Sequence, residues 1–445
     1  MRIGLITGEY PPDQGGVGDF TRELGKALVA LGHRVHVITS CAQVGKSANR
    51  QVGKSASQQI GKSAQGVVVH RDVQGWGWGC WGRILALARE LRLEVLDLQY
   101  QAAAYRGAGS RRMHPAINFV PHSSQRKARA TSPPLAEARA TSPPLAGGTE
   151  GGEAKRLRRP DRPPVVVTFH DLNVPYLFPK AGPLRWWVVR WCARRADGVI
   201  VTNREDELRL QTLLSNLARI PIGSNIAPRL PEGYDRDAWR ARWGLGPHVL
   251  LLGYFGFLNE RKGGEELVET LAVLVRRGLP AHLLLIGGRA GTSDPSNVAY
   301  AERVDHLIEE QGLAERVHRT GFVSSEEVSA SLAAVDVCLL PYRDGVCLRH
   351  GSLHACLVHG RAVVTTHPAV SVPEVQDGEN ALLVEPQNPE EMADAVARLV
   401  ADPALRTQLE SGAAALGAEF GWDRIARRTV AFFRALGQLP SSTFR

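Results

Sequence analysis

Two rhythms of apolar residues alternate along this chain. Short apolar runs such as Ile3, Leu5 and Ile6 read as buried strands, while Phe20, Leu24, Ala27, Leu28 and Leu31 recur at helical spacing. The pattern predicts a strand over residues 2–7, a helix over 19–31 stopped by Gly32, and a second strand over 34–39. Strand, helix and strand in that order imply a parallel sheet. The rhythm resumes with a strand at 165–169, a helix from 184, a strand at 198–202 and a helix opened by Asn203. A second series starts with a strand at 249–255. It continues through a helix at 265–277, a strand at 282–287, a helix around 299–311 and a strand at 317–321. Ser324 and Glu327 form a capping box for the next helix. A strand at 337–341, a helix at 351–359, a strand at 362–365 and a helix capped by Asn388 with Pro389 behind it follow. The last helix, near 422–436, carries Ile425, Val430, Phe433 and Leu436 on one stripe.

At 445 residues the chain is too long for one core, and two domains of roughly 200 residues are expected. The connector Ile220-Pro221-Ile222-Gly223-Ser224-Asn225 places the boundary. Residues 1–224 and 225–418 form two α/β domains, and 419–445 a terminal helix crossing back to the first. Two segments interrupt the first domain. Residues 43–66 are three copies of an eight-residue unit containing Gly-Lys-Ser. A phosphate-binding P-loop needs a glycine five positions before its second one, and Ala48 and Ala56 stand there instead. The repeat therefore reads as a solvated surface expansion. The nine residues 128–136 recur at 138–146, and the Pro, Ser and Gly content predicts disorder over about 122–163.

Charge adds a second asymmetry. The net charge is +9, made of +15 over residues 1–225 and −6 over 226–445. Attraction to an anionic membrane surface or anionic acceptor and a plain solvated surface both remain open. No nucleic-acid recognition motif accompanies the basic half. No run of about 18 uncharged apolar residues occurs, and the N-terminus reads as a buried strand, not a signal peptide. The six cysteines lack metal or disulfide spacing, so a reducing, cytoplasmic setting is expected.

Candidate chemistry lies where strands meet helices. Gly15-Gly16-Val17-Gly18 precedes a helix start, where bare backbone and free N–H groups suit a phosphate. A structural tight turn is the alternative. A dinucleotide fingerprint fails, because Thr21 holds the place of the third glycine and no acid ends the second strand. In the second domain, Arg261 and Lys262 follow a strand and can reach a diphosphate. Asp344, Arg349, His350, Gly351 and Ser352 surround a further helix start, a second cradle for diphosphate and ribose. Ligands of doubly wound sheets bind at the carboxyl ends of strands, where these loops fall.

The pieces resemble the family 4 glycosyltransferases of the GT-B fold, over nearly the whole chain. The resemblance rests on Gly8-Glu9-Tyr10-Pro11-Pro12 with Gly15-Gly16-Val17-Gly18, on Ile220-Pro221-Ile222-Gly223, on Gly256 through Lys262-Gly263, and on Thr320-Gly321-Phe322. The run from Gly360 to Thr366, the stretch from Pro373 to Val384 and Trp422 complete it. It implies two Rossmann-like doubly wound parallel-sheet domains facing a central cleft, and a retaining hexosyl transfer from a nucleotide-diphosphate sugar to a glycan, lipid or small-molecule hydroxyl. Neither metal nor cofactor is implied. His170 matches the cleft histidine that orients the donor sugar; a loop-capping histidine is the bland alternative. Lys262 matches the diphosphate lysine. Gly15, Gly16, Gly18, Gly256, Arg261, Phe322, Val323, Asp344, Arg349, His350, Gly351 and Ser352 join it on the donor side. Tyr10, Asp19 and Asp171 are candidates on the acceptor side.

Departures from the family pattern are equally specific. The usual glutamate pair, separated by seven residues, is replaced by Cys347 and Ala355, and Asp344 or Ser352 is left to meet the ribose. The usual arginine before the lysine gives way to Gly256 with Phe257 beside it, so that Arg261 or Arg349 would compensate. Lys262, Arg349 and the Gly351-Ser352 helix start are expected to stabilise the departing diphosphate electrostatically. An epimerase-like enzyme using Glu9, Asp19 or Asp171 and a non-catalytic sugar-nucleotide binder stand as alternatives. Finally, Trp186, Trp187 and Trp191 lie among Arg185, Arg190, Arg194 and Arg195, which fits either interfacial docking or a core helix with snorkelling arginines.

Overall fold

A strand that is apolar on both faces must be covered on both, which helices crossing a parallel sheet accomplish. The computed structural model describes residues 1–12, 15–40, 60–62, 66–73, 75–101, 105, 115–121, 162–172, 184–288 and 295–438, and within them two such sheets form. The first contains β1 (Arg2–Ile6), β2 (Arg34–Ser40), β3 (Ile60–Lys62), β4 (Val68–Val73), β5 (Val95–Tyr100), β6 (Val165–Phe169), β7 (Gly198–Val201) and β8 (Leu217–Arg219). The second contains β9 (Leu250–Phe255), β10 (Ala281–Ile286), β11 (Val317–Gly321), β12 (Val337–Leu340), β13 (Ala362–Thr366) and β14 (Leu382–Val384). The helices are α1 (Gly16–Ala30), α2 (Cys80–Glu90), α3 (Leu184–Arg195), α4 (Arg204–Leu210), α5 (Arg236–Ala241) and α6 (Gly264–Arg276). They continue with α7 (Pro295–Glu310), α8 (Ser325–Ala334), α9 (Gly351–Val358), α10 (Pro389–Ala401), α11 (Pro403–Glu419) and α12 (Trp422–Gln438).

The chain divides into two compact units: Met1–Val201 with Asp206–Arg219 and Arg427–Arg445, and Thr202–Glu205 with Ile220–Ala426. In the first, the strand order is β3-β4-β2-β1-β5-β6-β7-β8, parallel except for β3. In the second it is β11-β10-β9-β12-β13-β14, all parallel. Each order reverses once, between β1 and β5 and between β9 and β12. Such reversals separate the loops on either side and open a place for a ligand.

Most predicted elements appear with ends moved by a residue or two. The capping box at Ser324 and the Asn388 cap with Pro389 are both formed. The α12 stripe is buried at Ile425, Val430 and Phe433. Three differences have physical causes. Helix α1 starts at Gly16, not at residue 19, so two of the glycines belong to its first turn. The third copy of the eight-residue repeat, read only as a surface expansion, supplies the edge strand β3. Strand β5 escaped the hydrophobic pattern because Asp97 and Gln99 interrupt it, yet both are fully buried. The rest of the repeat and the duplicated stretch within 122–161 lie outside the described residues.

Two histidine pairs bridge neighbouring strands. His36 Nδ1 and His70 Nε2 are 3.0 Å apart, as are His282 Nδ1 and His318 Nε2. One nitrogen of each pair must donate and the other accept, which requires a neutral ring. Burial, the partner ring and nearby arginines push His36 down to about 4, and burial, His318 and Arg316 do the same for His282. Between their ordinary value of 6.5 and about 4 the unfolded chain takes up protons that the folded one refuses. Stability is therefore full above pH 6.5 and falls as the pH drops towards 4. Thermal midpoints recorded across that interval should decline with acid, and His282→Gln should make the decline shallower.

Candidate functional site

At the edge where β1 ends, the start of α1 already holds an anion. The Glu9 carboxylate accepts from the Val17 N–H at 3.2 Å and the Gly18 N–H at 3.4 Å. A negative group there is favoured by the helix dipole and by the unpaired N–H groups of the first turn. A Cβ on Gly15 would stand 2.1 Å from the Glu9 carboxyl, and one on Gly18 3.0 Å from the Glu9 carbonyl oxygen. These two glycines make room for Glu9, which corrects the expectation of a bare phosphate cradle; only Gly16 opens into space. Of the acceptor-side candidates, Tyr10 is withdrawn, 5% exposed, with Arg71 bonded to the Pro11 carbonyl beside it. Asp19 pairs with Arg22 at 2.9 Å, and burial raises its carboxyl. Asp171 is partly exposed next to His170.

His170 follows β6 and is joined to a buried polar chain. Its Nε2 lies 3.0 Å from Gln99 Oε1, Gln99 Nε2 donates to Asp97 Oδ2 at 2.7 Å, and Thr168 Oγ1 donates to Asp97 Oδ1 at 2.8 Å. The Phe20 ring packs edge-on against the imidazole at 4.6 Å. Burial holds His170 down at about 3 and lifts Asp97 to about 7, the latter opposed by its two hydrogen bonds. Gln99 and Asp97 were invisible as site residues in the sequence, because nothing marked β5 as a strand.

In the second unit the loops after β9 and β12 flank the strand-order reversal. Asn259 caps a short 3₁₀ turn, Glu260–Lys262, accepting from the Lys262 N–H at 3.2 Å. Gly256, at φ 122°, has a backbone that favours glycine, and a Cβ there would face the Lys262 ammonium at 3.3 Å. Desolvation lowers Lys262 to about 8. Gly263, at φ 70°, brings the loop so close to β12 that a Cβ would stand 2.0 Å from the Pro341 carbonyl oxygen. The Arg343 N–H donates to the Arg261 carbonyl at 2.9 Å, and its guanidinium grips Glu266 at 2.6 Å, tying the two loops together. Arg343 was another residue that the sequence did not single out.

Around α9 the candidates divide. Arg349 is paired with Glu205 at 2.9 Å and Asp344 at 3.4 Å, and Arg261 stands 3.8 Å from the same Asp344. Arg349 is thus not an open cation but one matched by carboxylates. His350 stacks on Tyr342 at 3.8 Å and caps the loop through Nδ1, which accepts from the Cys347 N–H at 3.3 Å. Ser352 is buried with its hydroxyl 2.7 Å from the Tyr342 hydroxyl, which corrects its expected side-chain role at a ribose and leaves its backbone N–H at the helix start. Asp344 keeps a buried Oδ1 that no described residue bonds. Ala355 lies in the core, where no carboxylate belongs, and Cys347 is partly exposed. Val323 packs on the core, while Phe322 is 75% exposed.

Helix α3 separates its faces more cleanly than the sequence indicates. Val189, Cys192 and Ala193 are buried and Trp186 packs beside them. Trp187 and Trp191 stack on the outer face at 5.4 Å, with the Arg195 guanidinium 5.2 Å from the Trp191 ring.

Two doubly wound sheets, the second with a cation and a helix start on either side of its strand-order reversal, are the architecture of the GT-B fold. Residues 15–222 match the glycosyl transferase 4-like domain and residues 248–402 the glycosyl transferases group 1 domain. The chain belongs to this glycosyltransferase family. It is 29% identical over 291 residues to an alpha-D-kanosaminyltransferase of Streptomyces kanamyceticus, covering 62% of this chain and 71% of that one. It is 28% identical over 236 residues to a D-inositol 3-phosphate glycosyltransferase of Corynebacterium urealyticum, covering 51% and 53%, about half the length of each. Among solved structures, sucrose-phosphate synthase of Thermosynechococcus elongatus shares the fold with a TM-score of 0.68 at 21% identity, over 98% of this chain and 99% of the other.

Close packing at the glycines gives a direct check. Gly263→Ala should lower stability by about 1–3 kcal/mol in chemical denaturation, from left-handed strain and the approach to Pro341. Gly16→Ala, in open space, should leave the midpoint nearly unchanged.

Proposed function

We propose that the chain transfers a hexosyl group from a nucleotide-diphosphate sugar to a hydroxyl acceptor, with retention and without a metal. The observation that carries this reading is the placement of Lys262 after β9 and of the α9 start after β12, on either side of the strand-order reversal in the second sheet. A desolvated ammonium and a helix N-terminus together provide positive charge for a diphosphate. Family membership supports transfer ahead of epimerisation or mere binding.

In the reaction, the bond between the anomeric carbon and the diphosphate oxygen breaks as charge grows on that oxygen. Lys262 and the Gly351 and Ser352 N–H groups stabilise this charge. The acceptor oxygen bonds to the same face of the anomeric carbon, and its proton passes to the departing phosphate oxygen. No protein nucleophile enters. Arg349 and Arg261 contribute once a donor competes for them with Asp344. Asp344 Oδ1 offers an acceptor for a ribose hydroxyl. Among acceptors, the relative named for D-inositol 3-phosphate puts a small hydroxylated molecule first.

Nucleotide diphosphates bound without metal should raise the thermal midpoint of the wild type and shift Lys262→Ala much less. Since Lys262 loses its proton near 8, diphosphate affinity should weaken above that pH by up to about tenfold per unit. If every nucleotide leaves both proteins unmoved, or EDTA abolishes transfer, the reading fails.

Contact with an anionic membrane is the finer proposal for the first unit. No described helix is long and apolar enough to cross a membrane. The outward Trp187 and Trp191 pair beside Arg195 suits the headgroup region instead. Sedimentation with phosphatidylglycerol vesicles should retain the wild type at low salt and lose Trp187→Ser/Trp191→Ser. Equal sedimentation of both would remove the membrane from the account.

A further inference from the structure

The loop between β12 and α9 carries a histidine whose proton the backbone places. His350, the N-cap of α9, is partly exposed, and its Nδ1 lies 3.3 Å from the Cys347 N–H. A backbone N–H can only donate, so Nδ1 must present its lone pair. A neutral imidazole then carries its one proton on Nε2, which points away from the N–H that Nδ1 receives. No described residue bonds that Nε2. Protonating the ring would set a second N–H against that of Cys347. Burial, then Arg349, Lys262 and His354, hold the imidazole well below its ordinary pKa, so the ring stays neutral.

The ring is held as firmly as its proton. It stacks on Tyr342 with centroids 3.8 Å apart and planes 25° from parallel. Tyr342 is fully buried; its hydroxyl lies 2.7 Å from Ser352 Oγ in the first turn of α9, and its carbonyl accepts from Thr366 Oγ1 at 2.7 Å. His354, also in α9, has its Nε2 2.8 Å from the Leu348 carbonyl. A carbonyl only accepts, so this imidazole donates and pins the chain between Cys347 and Arg349. His350 is thereby fixed in plane and in proton position, beside the helix start and within the field of the Lys262 ammonium.

We propose that His350 is a donor-binding residue whose neutral Nε2–H hydrogen-bonds an oxygen of the diphosphate held by Lys262 and the start of α9. This rests on the transferase reading given above and adds a contact at the same site, built from the second unit alone. Its chemistry complements that of its neighbours. Lys262 brings a charge that it loses near pH 8, whereas His350 brings direction without charge. A neutral N–H spares the loop a further cation beside Arg349 and Lys262, and its bond to an anionic oxygen strengthens as charge grows there.

The test separates capping from donation. UDP, GDP and ADP are titrated calorimetrically, without metal, into the full chain and three variants. His350→Asn keeps an oxygen for the Cys347 N–H but has no N–H at the place of Nε2. His350→Gln carries an amide N–H out to that place, and His350→Phe keeps only the stacking on Tyr342. For the diphosphate that binds the wild type, Asn and Phe should raise Kd by roughly ten- to hundredfold, the loss of one hydrogen bond to a charged group, while Gln retains most of the affinity. In the nitrogen spectrum of ¹⁵N-histidine-labelled chain, which has 14 histidines, the His350 signals are those missing from His350→Gln. They should show the proton on Nε2 and shift on saturation with the diphosphate. A proton on Nδ1, or full affinity in His350→Asn with loss in His350→Gln, or equal affinity in all four proteins, overturns the proposal. If Lys262→Ala still loses binding in those cases, the transferase reading stands without His350. If no diphosphate binds the wild type, both fall together.

Discussion

A parallel sheet returns every connection across its own face, and so sends every strand-to-helix loop to one edge. That constraint decides where chemistry can occur in this protein. It places the loops after β1, β5 and β6 together in the first unit and those after β9 and β12 together in the second. The reversal of strand order then draws apart two helices that would otherwise crowd the edge. Lys262, Arg349 and the start of α9 owe their neighbourhood to this arrangement rather than to closeness in sequence. The close approach of Gly263 to Pro341 and the bond from Arg343 to the Arg261 carbonyl hold the two loops in register.

Within that frame, charge is largely pre-matched. Arg343 is gripped by glutamates at the start of α6, Arg349 lies between Glu205 and Asp344, and the start of α1 is filled by Glu9. Lys262 differs, because desolvation rather than a carboxylate governs its ammonium. A cation kept in a poorly solvated place, with no matching carboxylate among the described residues, is one that gains most from a charged ligand. This is why the proposed mechanism rests on Lys262 ahead of Arg349, although both looked equivalent as letters in a loop.

What could be read from the sequence follows from how local each feature is. Strands such as β1 and β9, helices with a regular apolar stripe, and the caps at Ser324 and Asn388 depend on neighbours a few residues away, and all were legible. Strand β5 was not, because its polar residues are satisfied by Thr168 and His170, some seventy positions later. Ser352 misled for a similar reason: its partner, Tyr342, belongs to the preceding loop and hides the hydroxyl that the helix start seemed to present. The glycines before α1 were recognised as a place of close approach, but the approaching group turned out to be a side chain of the same loop.

That last feature makes Glu9 a tethered competitor. A group held beside its own binding place has an effective concentration that a free anion must exceed, commonly millimolar or above for short flexible tethers. Stray inorganic phosphate or sulfate is therefore poorly placed to occupy the start of α1. Only a molecule anchored elsewhere as well, and so raised to a comparable local concentration, displaces the carboxylate.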